Sequence, residues 1–192
     1  MQRIGIGYEN YKEFTDKKLY YIDKTWLVAD IIKKGGKVTL FTRPRRFGKT
    51  LTLSMLRTFF EQEYDSDGNA IDNSRYFEGM KIMDAGDEVL SQMGSYPVIK
   101  MSLKSAKQPS FSGALMVLVS DMISEFRRHD YLLDSPMLSE DEKQKLKDLL
   151  GGDLEWYSRE MDRKSSEEWD STIIRGSKIL GKRFRDLAIA GD

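Results

Sequence analysis

An α/β fold, in which a mostly parallel sheet is flanked by helices, is predicted by three observations. Two compact β-rich runs, residues 37–42 and 96–103, each precede a strongly apolar stretch of helical period. A sharp turn separates the first run from its helix. Strand–loop–helix followed by strand–helix is an α/β plan. The 192 residues suit one domain over 1–150 with a helical tail over 151–192. A chain of this size buries about two-thirds of its unfolded surface, so it needs no covalent staple.

The elements follow in order. Trp26, Leu27, Ala29, Ile31 and Ile32 predict a short helix. Lys33 and Lys34 suit the negative end of its dipole, and Gly35-Gly36 stops it. Residues 37–42 predict a strand, and Pro44 forces the chain to turn after it. From Thr50 the period changes: Leu51, Met55 and Phe59, with Leu53, Leu56 and Phe60 beside them, predict an apolar helix. Residues 62–75 are acidic and turn-rich and predict a loop, followed by a short helix or turn over 76–82. Residues 96–103 predict the second strand. Leu115, Val119, Met122, Ile123 and Phe126 predict a long helix over 111–133. Ser139-Glu-Asp-Glu142 has the form of a capping box, and Gly151-Gly152 would end the helix it opens.

Composition removes several chemistries. With no cysteine, disulfides, thiolate metal sites and cysteine nucleophiles are excluded. The single His129 leaves little material for a histidine zinc site or a Ser-His-Asp triad. No apolar run approaches the roughly 20 residues that span a bilayer. The opening residues lack the apolar region of a secretory signal, which predicts a cytoplasmic protein with no membrane partner. Net charge is zero, yet residues 1–64 carry 13 Lys or Arg against 7 Asp or Glu, while residues 65–170 carry 13 against 22. A basic first third points to an anionic ligand there.

The segment that carries chemistry is Arg43-Pro-Arg-Arg-Phe-Gly-Lys-Thr50. A phosphate chain needs converging backbone N–H groups, and a helix N-terminus supplies unpaired ones with a favourable dipole. Gly48 admits the phosphate without a Cβ in the way. Lys49 is placed to reach the terminal phosphates, and the Thr50 hydroxyl to hold Mg²⁺. In the pattern G-x-x-x-x-G-K-[ST] a glycine would stand at position 43, where this chain has Arg43. Arg43, Arg45 and Arg46 add guanidinium groups that grip phosphate oxygens bidentately. Alternatively, those arginines pair with the acidic middle of the chain, and the strand–turn–helix is only structural.

Together with Tyr21-Ile-Asp-Lys-Thr25 upstream, this loop resembles the AAA-ATPase-like family of P-loop proteins, where R-P-R-R-F-G-K-[ST] follows Y-x-D-K-T. Phe77-Glu-Gly-Met-Lys-Ile82 and Tyr96-Pro-Val-Ile99 resemble two further landmarks, so the likeness covers roughly residues 4–150. It implies an incomplete P-loop NTPase-like core that binds ATP and Mg²⁺. The site residues so implied are Arg43, Pro44, Arg45, Arg46, Phe47, Gly48, Lys49, Thr50 and Leu51, with Thr50 at the metal. It also implies a nuclease-like domain further along in many members. Asp23 and Lys24 match the upstream motif and are expected near the loop, with helix capping by Asp23 or Thr25 as the structural alternative.

Hydrolysis needs an acid at the end of a second buried strand. The resemblance supplies it as an I-D-E-Y-D-like run, and nothing here matches. Leu115-Met-Val-Leu-Val119 before Asp121 has helical rather than strand spacing. The expectation is therefore an N-terminal piece of a longer protein that binds nucleotide and hydrolyses it poorly. The rival expectation is a non-enzymatic module that grips an anion or a nucleic-acid backbone with its arginine-rich turn; a third is a chain with no activity of its own. Asp65-Ser-Asp-Gly-Asn69 lacks the spacing of a calcium loop and predicts an exposed turn. Arg175, Lys178, Lys182, Arg183 and Arg185 predict a solvated basic helix face, and Trp156 and Trp169 packing positions.

Overall fold

A computed structural model describes residues 3–36, 38–44 and 46–151. The helical tail expected over 151–192, with Trp156, Trp169 and its basic residues, lies outside them beyond Gly151. So does Arg45. The chain divides into two compact units that part between Val98 and Ile99.

In the first unit, β1 (Arg3–Ile4) runs parallel to β2 (Leu19–Tyr20), paired Arg3 to Leu19 and Ile4 to Tyr20. The short helix α1 (Lys12–Asp16) joins them. Helix α2 (Trp26–Lys34) ends at Gly35 with a left-handed φ of 58°, the stop that the glycine pair predicted. Helix α3 (Lys49–Phe60) follows the arginine-rich turn. The acidic loop carries a small hairpin, β3 (Glu63–Tyr64) antiparallel to β4 (Ala70–Ile71). Its turn is the Asp65–Asn69 stretch, an exposed turn as its spacing predicts. There the Asp65 carboxylate accepts bonds from the N–H groups of Asp67 and Asn69 at 2.9 and 2.8 Å. Two 3-10 turns, Ser74–Tyr76 and Lys81–Asp84, and helix α4 (Asp87–Leu90) close the unit.

The core of this unit is where the helical periods meet. Val28 and Ala29 of α2, and Met55 and Phe59 of α3, are buried with Tyr11, Tyr76, Phe77, Ile82 and Val89. Met55 and Phe59 are one helical step apart on one face, as their spacing predicted. Leu51 packs half-buried against the same cluster, whereas Leu53, on another face of α3, is exposed. Tyr11 pins the N-terminal segment to both sides of this core. Its N–H donates to Ser54 Oγ and its hydroxyl to the Tyr76 carbonyl, each at 3.0 Å.

In the second unit, Ser110 accepts from the Gly113 N–H and opens α5 (Phe111–Arg127). Val119 and Ile123 are buried, with Leu115 beside them. The helix stops six residues short of the expected 133. The Arg128 and His129 N–H groups bond three residues back, to Glu125 and Phe126, and the chain tightens into a 3-10 turn at Asp130–Asp134. The predicted capping box forms: Ser139 N–H donates to the Glu142 carboxylate at 3.0 Å, and Glu142 N–H to Ser139 Oγ at 3.4 Å. It opens α6 (Glu140–Gly151). Leu115–Val119 lies inside α5 and is no strand.

Both long predicted strands need correction. Residues 38–42 join no sheet among the described residues, and Val38 and Leu40 are 89% and 84% exposed. A strand exists only through its neighbour's hydrogen bonds, and none lies beside this run. Residues 96–103 make one parallel bridge, Tyr96 with Glu61. Further on, the Lys100 N–H is taken at 2.9 Å by the Glu125 carboxylate instead of a strand carbonyl. The mostly parallel sheet is thus replaced by a mixed α/β architecture. Among the described residues it is mostly helical, with two two-stranded sheets, one of them parallel. A P-loop core built on a central strand is not formed by the described residues. No described helix is long and apolar enough to cross a membrane.

Candidate phosphate-binding site

The arginine-rich turn enters α3 through two left-handed residues, Arg46 at φ 68° and Gly48 at φ 71°. For an arginine this conformation costs about 1–2 kcal/mol, because Cβ crowds the following carbonyl. Glycine has no Cβ and adopts it freely. No side chain caps α3. Its first backbone bond runs from Thr52 N–H to the Gly48 carbonyl at 2.8 Å. The N–H groups of Lys49, Thr50 and Leu51 therefore precede the helical ladder, at the positive end of the dipole.

Lys49 Nζ folds back over the turn. It donates to the Arg43 carbonyl and, at 3.4 Å, to the Pro44 carbonyl. The lysine thus closes the turn on itself across six residues, using the carbonyls of the two positions that begin the motif.

A second cation comes from the segment just before α2. Lys24 stands two residues before that helix, and its Nζ is 3.9 Å from where a Cβ on Gly48 would lie. What holds this residue in place is the pair on either side of it. The Asp23 carboxylate accepts from the Thr25 N–H at 2.8 Å, the Thr25 hydroxyl at 2.7 Å and the Lys81 N–H at 2.8 Å. The buried Thr25 Oγ1 in turn accepts from the Ile82 N–H at 3.2 Å. Asp23 and Thr25 thereby clamp the start of α2 to the Lys81–Asp84 turn, while Lys24 between them points elsewhere.

Partial burial raises the Asp23 carboxyl, but bonds from Lys81 and Thr25 outweigh it and leave the pKa below the usual 3.8. A carboxyl lowered on folding stabilises the protein above its unfolded pKa, and that contribution fades as pH falls through the lower folded value. Asp23→Asn is therefore expected to melt below wild type at pH 7. The gap should narrow only as pH falls through the lowered folded pKa, where the carboxyl of the folded wild type takes up its proton. Melting curves followed from pH 7 down into the acid limb check this; a gap that stays constant throughout would remove charge from the clamp.

Lys24, Arg43 and Lys49, with Leu27, Phe41, Phe47, Thr52 and Leu53, line a cavity of about 300 Å³ beside the turn. Its lining is cationic and apolar, and among the described residues no carboxylate lines it. Of the residues singled out from sequence, Arg43, Phe47 and Lys49 line this cavity, and Gly48 adjoins it through Lys24. Pro44 and Arg46 are exposed, and Thr50 is half-buried at the helix start without lining the cavity. Leu51 turns to the core. Leu27, Phe41, Thr52 and Leu53 carry no motif signal, since an apolar side chain beside a ligand reads the same as one in a core.

These residues fit a phosphate chain in two respects. The left-handed Gly48 presents bare backbone, and the adjoining cations lack an acid among them. For a divalent ion the protein offers less. Among the described residues no group of three His, Asp or Glu side chains is placed to hold one, which leaves the Thr50 hydroxyl.

A family model described as "Predicted AAA-ATPase" matches residues 5–164. No curated protein and no solved structure matches the chain.

Proposed function

We propose, from the premise that the chain belongs to the AAA-ATPase-like family, that it binds ATP with Mg²⁺ at the turn over 43–50. The observation that carries this is the uncapped, left-handed entry to α3 at Gly48, next to a cavity lined by Lys24, Arg43 and Lys49 and by no acid. In this reading the N–H groups at Gly48 and Lys49 hold phosphate oxygens. Lys49 exchanges the carbonyls of Arg43 and Pro44 for the β/γ end, a stronger charge-assisted partner. Arg43, Arg45 and Arg46 add cations, and the Thr50 hydroxyl is the protein's ligand to the metal. Bound Mg²⁺ would supply neutralisation of charge between the β- and γ-phosphates. Pro44 bends the turn, Phe47 gives the cavity part of its apolar lining, and Leu51 packs its side chain against the core.

The experiment is a calorimetric titration of ATP and of AMP, with and without Mg²⁺, at two salt concentrations. Saturable binding that requires Mg²⁺ and prefers triphosphate to monophosphate is expected. No heat from a folded sample would sink the reading. One observation favours a second reading, in which the turn grips an extended polyanion. Arg43 and Arg46 are exposed and have no carboxylate partner among the described residues. Binding that ignores Mg²⁺ and collapses with salt would favour it, since each neutralised backbone phosphate steepens the salt dependence.

A further inference from the structure

We infer that Lys24 is a second phosphate-binding cation, carried to the Gly48 turn by the Asp23–Thr25 clamp. The inference rests on the reading that phosphate occupies that turn, and it assigns the upstream motif a task within the same site.

Three observations converge on it. Lys24 Nζ reaches within 3.9 Å of the point where a Gly48 Cβ would be, so it lies over the bare backbone that a phosphate would approach. It lines the cavity together with Lys49 and Arg43, and no carboxylate of that lining neutralises the three. Among the described residues Lys24 has no ion-pair partner, in contrast to Lys12, paired with Glu63, and Lys17, paired with Glu13. Like charges brought together without an anion repel, and a cluster of them is stable only where solvent or a bound anion screens them.

The neighbours explain why the motif needs three consecutive polar residues. Asp23 and Thr25 spend their side chains on Lys81 and Ile82, more than 50 positions along the chain. That fixes the backbone on both sides of Lys24 while leaving its ammonium uncommitted. A lysine fixed at its backbone and free at its tip brings its cation to the turn with only side-chain entropy left to lose on binding. Lys49 approaches from the helix side and Lys24 from the α2 side, so two cations would flank the same anion. Their ligand class is a polyphosphate, and a monophosphate would engage one more strongly than the other.

The test uses the whole chain and two probes, Mg–ATP and inorganic tripolyphosphate, titrated into wild type, Lys24→Met, Lys24→Arg and Lys49→Ala. Lys24→Met is expected to weaken both probes about 10-fold or more, the loss of one charge-assisted contact. Its melting temperature should stay that of wild type, and Lys24→Arg should regain most of the affinity. AMP binding should fall less than ATP binding. Wild-type affinity in Lys24→Met, with binding lost in Lys49→Ala, would overturn the role of Lys24 and leave the nucleotide reading standing. A lowered melting temperature together with no rescue by Lys24→Arg would also overturn it, making Lys24 structural. Silence of wild type toward both probes would remove the nucleotide reading and this inference with it.

Discussion

Lys49→Ala is expected to weaken Mg–ATP binding about 100-fold, near 3 kcal/mol, with the fold unchanged. The effect is large because the lysine is the first residue of α3 and its ammonium already lies within the turn, on the carbonyls of Arg43 and Pro44. A polyphosphate arriving there replaces two neutral acceptors by charged oxygens. Truncation leaves those oxygens facing an apolar methyl. The fold should tolerate the change because Lys49 is exposed and the core of the first unit is built by Met55 and Phe59, on a different face of the helix. Calorimetry measures the affinity, and circular dichroism the fold. An affinity within threefold of wild type would mean that the turn is not where phosphate binds.

Phe59→Ala should cost about 3–5 kcal/mol of stability. Phe59 is fully buried, its ring edge-on to Phe60 at 5.2 Å and to Phe77 at 5.4 Å. Phe77 in turn stacks on Tyr11 at 5.3 Å. Removing the central ring therefore opens a cavity against Phe60 of α3 and Phe77, and the surrounding structure collapses into it only in part. Total stabilities of domains are about 5–15 kcal/mol, so the loss is a large fraction. For a unit of this size the melting temperature should fall by more than about 10 °C. Near-ultraviolet circular dichroism during heating reads the transition. Phe60→Ala, at a half-buried position, should cost less; the reverse order would place the core elsewhere.

How much of this was legible depends on the range over which each feature is determined. Helices α2, α3 and α5 are written locally, in apolar spacing and in stops such as Gly35, and were readable as such. The capping box at Ser139 and Glu142 is four residues long and was readable too. The two β-rich runs have the composition of strands, yet a strand is a relation between distant segments. Among the described residues Val38 and Leu40 have no neighbouring strand, and the Lys100 N–H has a side chain instead. Strands β1 to β4, two residues each, are too short for any period to show. In the candidate site, Gly48 and Lys49 stand out in the sequence because a phosphate loop is a local pattern. The approach of Lys24 to Gly48 was visible only as a motif with an expected place near the loop. What places it is hydrogen bonding to Lys81 and Ile82, which spacing within the motif does not encode.

The clamp also sets a timetable for the nascent chain. Asp23 waits for an amide 58 positions later, Thr25 for one 57 later, and the Tyr11 hydroxyl for a carbonyl 65 later. At about 5–20 residues per second, a ribosome takes about 3–12 s to make that interval. Throughout it, α3 can already be wound while the segment before α2 has nothing to dock on, because contacts of long sequence separation close last. The front of this protein is therefore finished by its middle. A messenger that paused translation before codon 82 would hold a chain that has its glycine turn but has not yet clamped Lys24 in place.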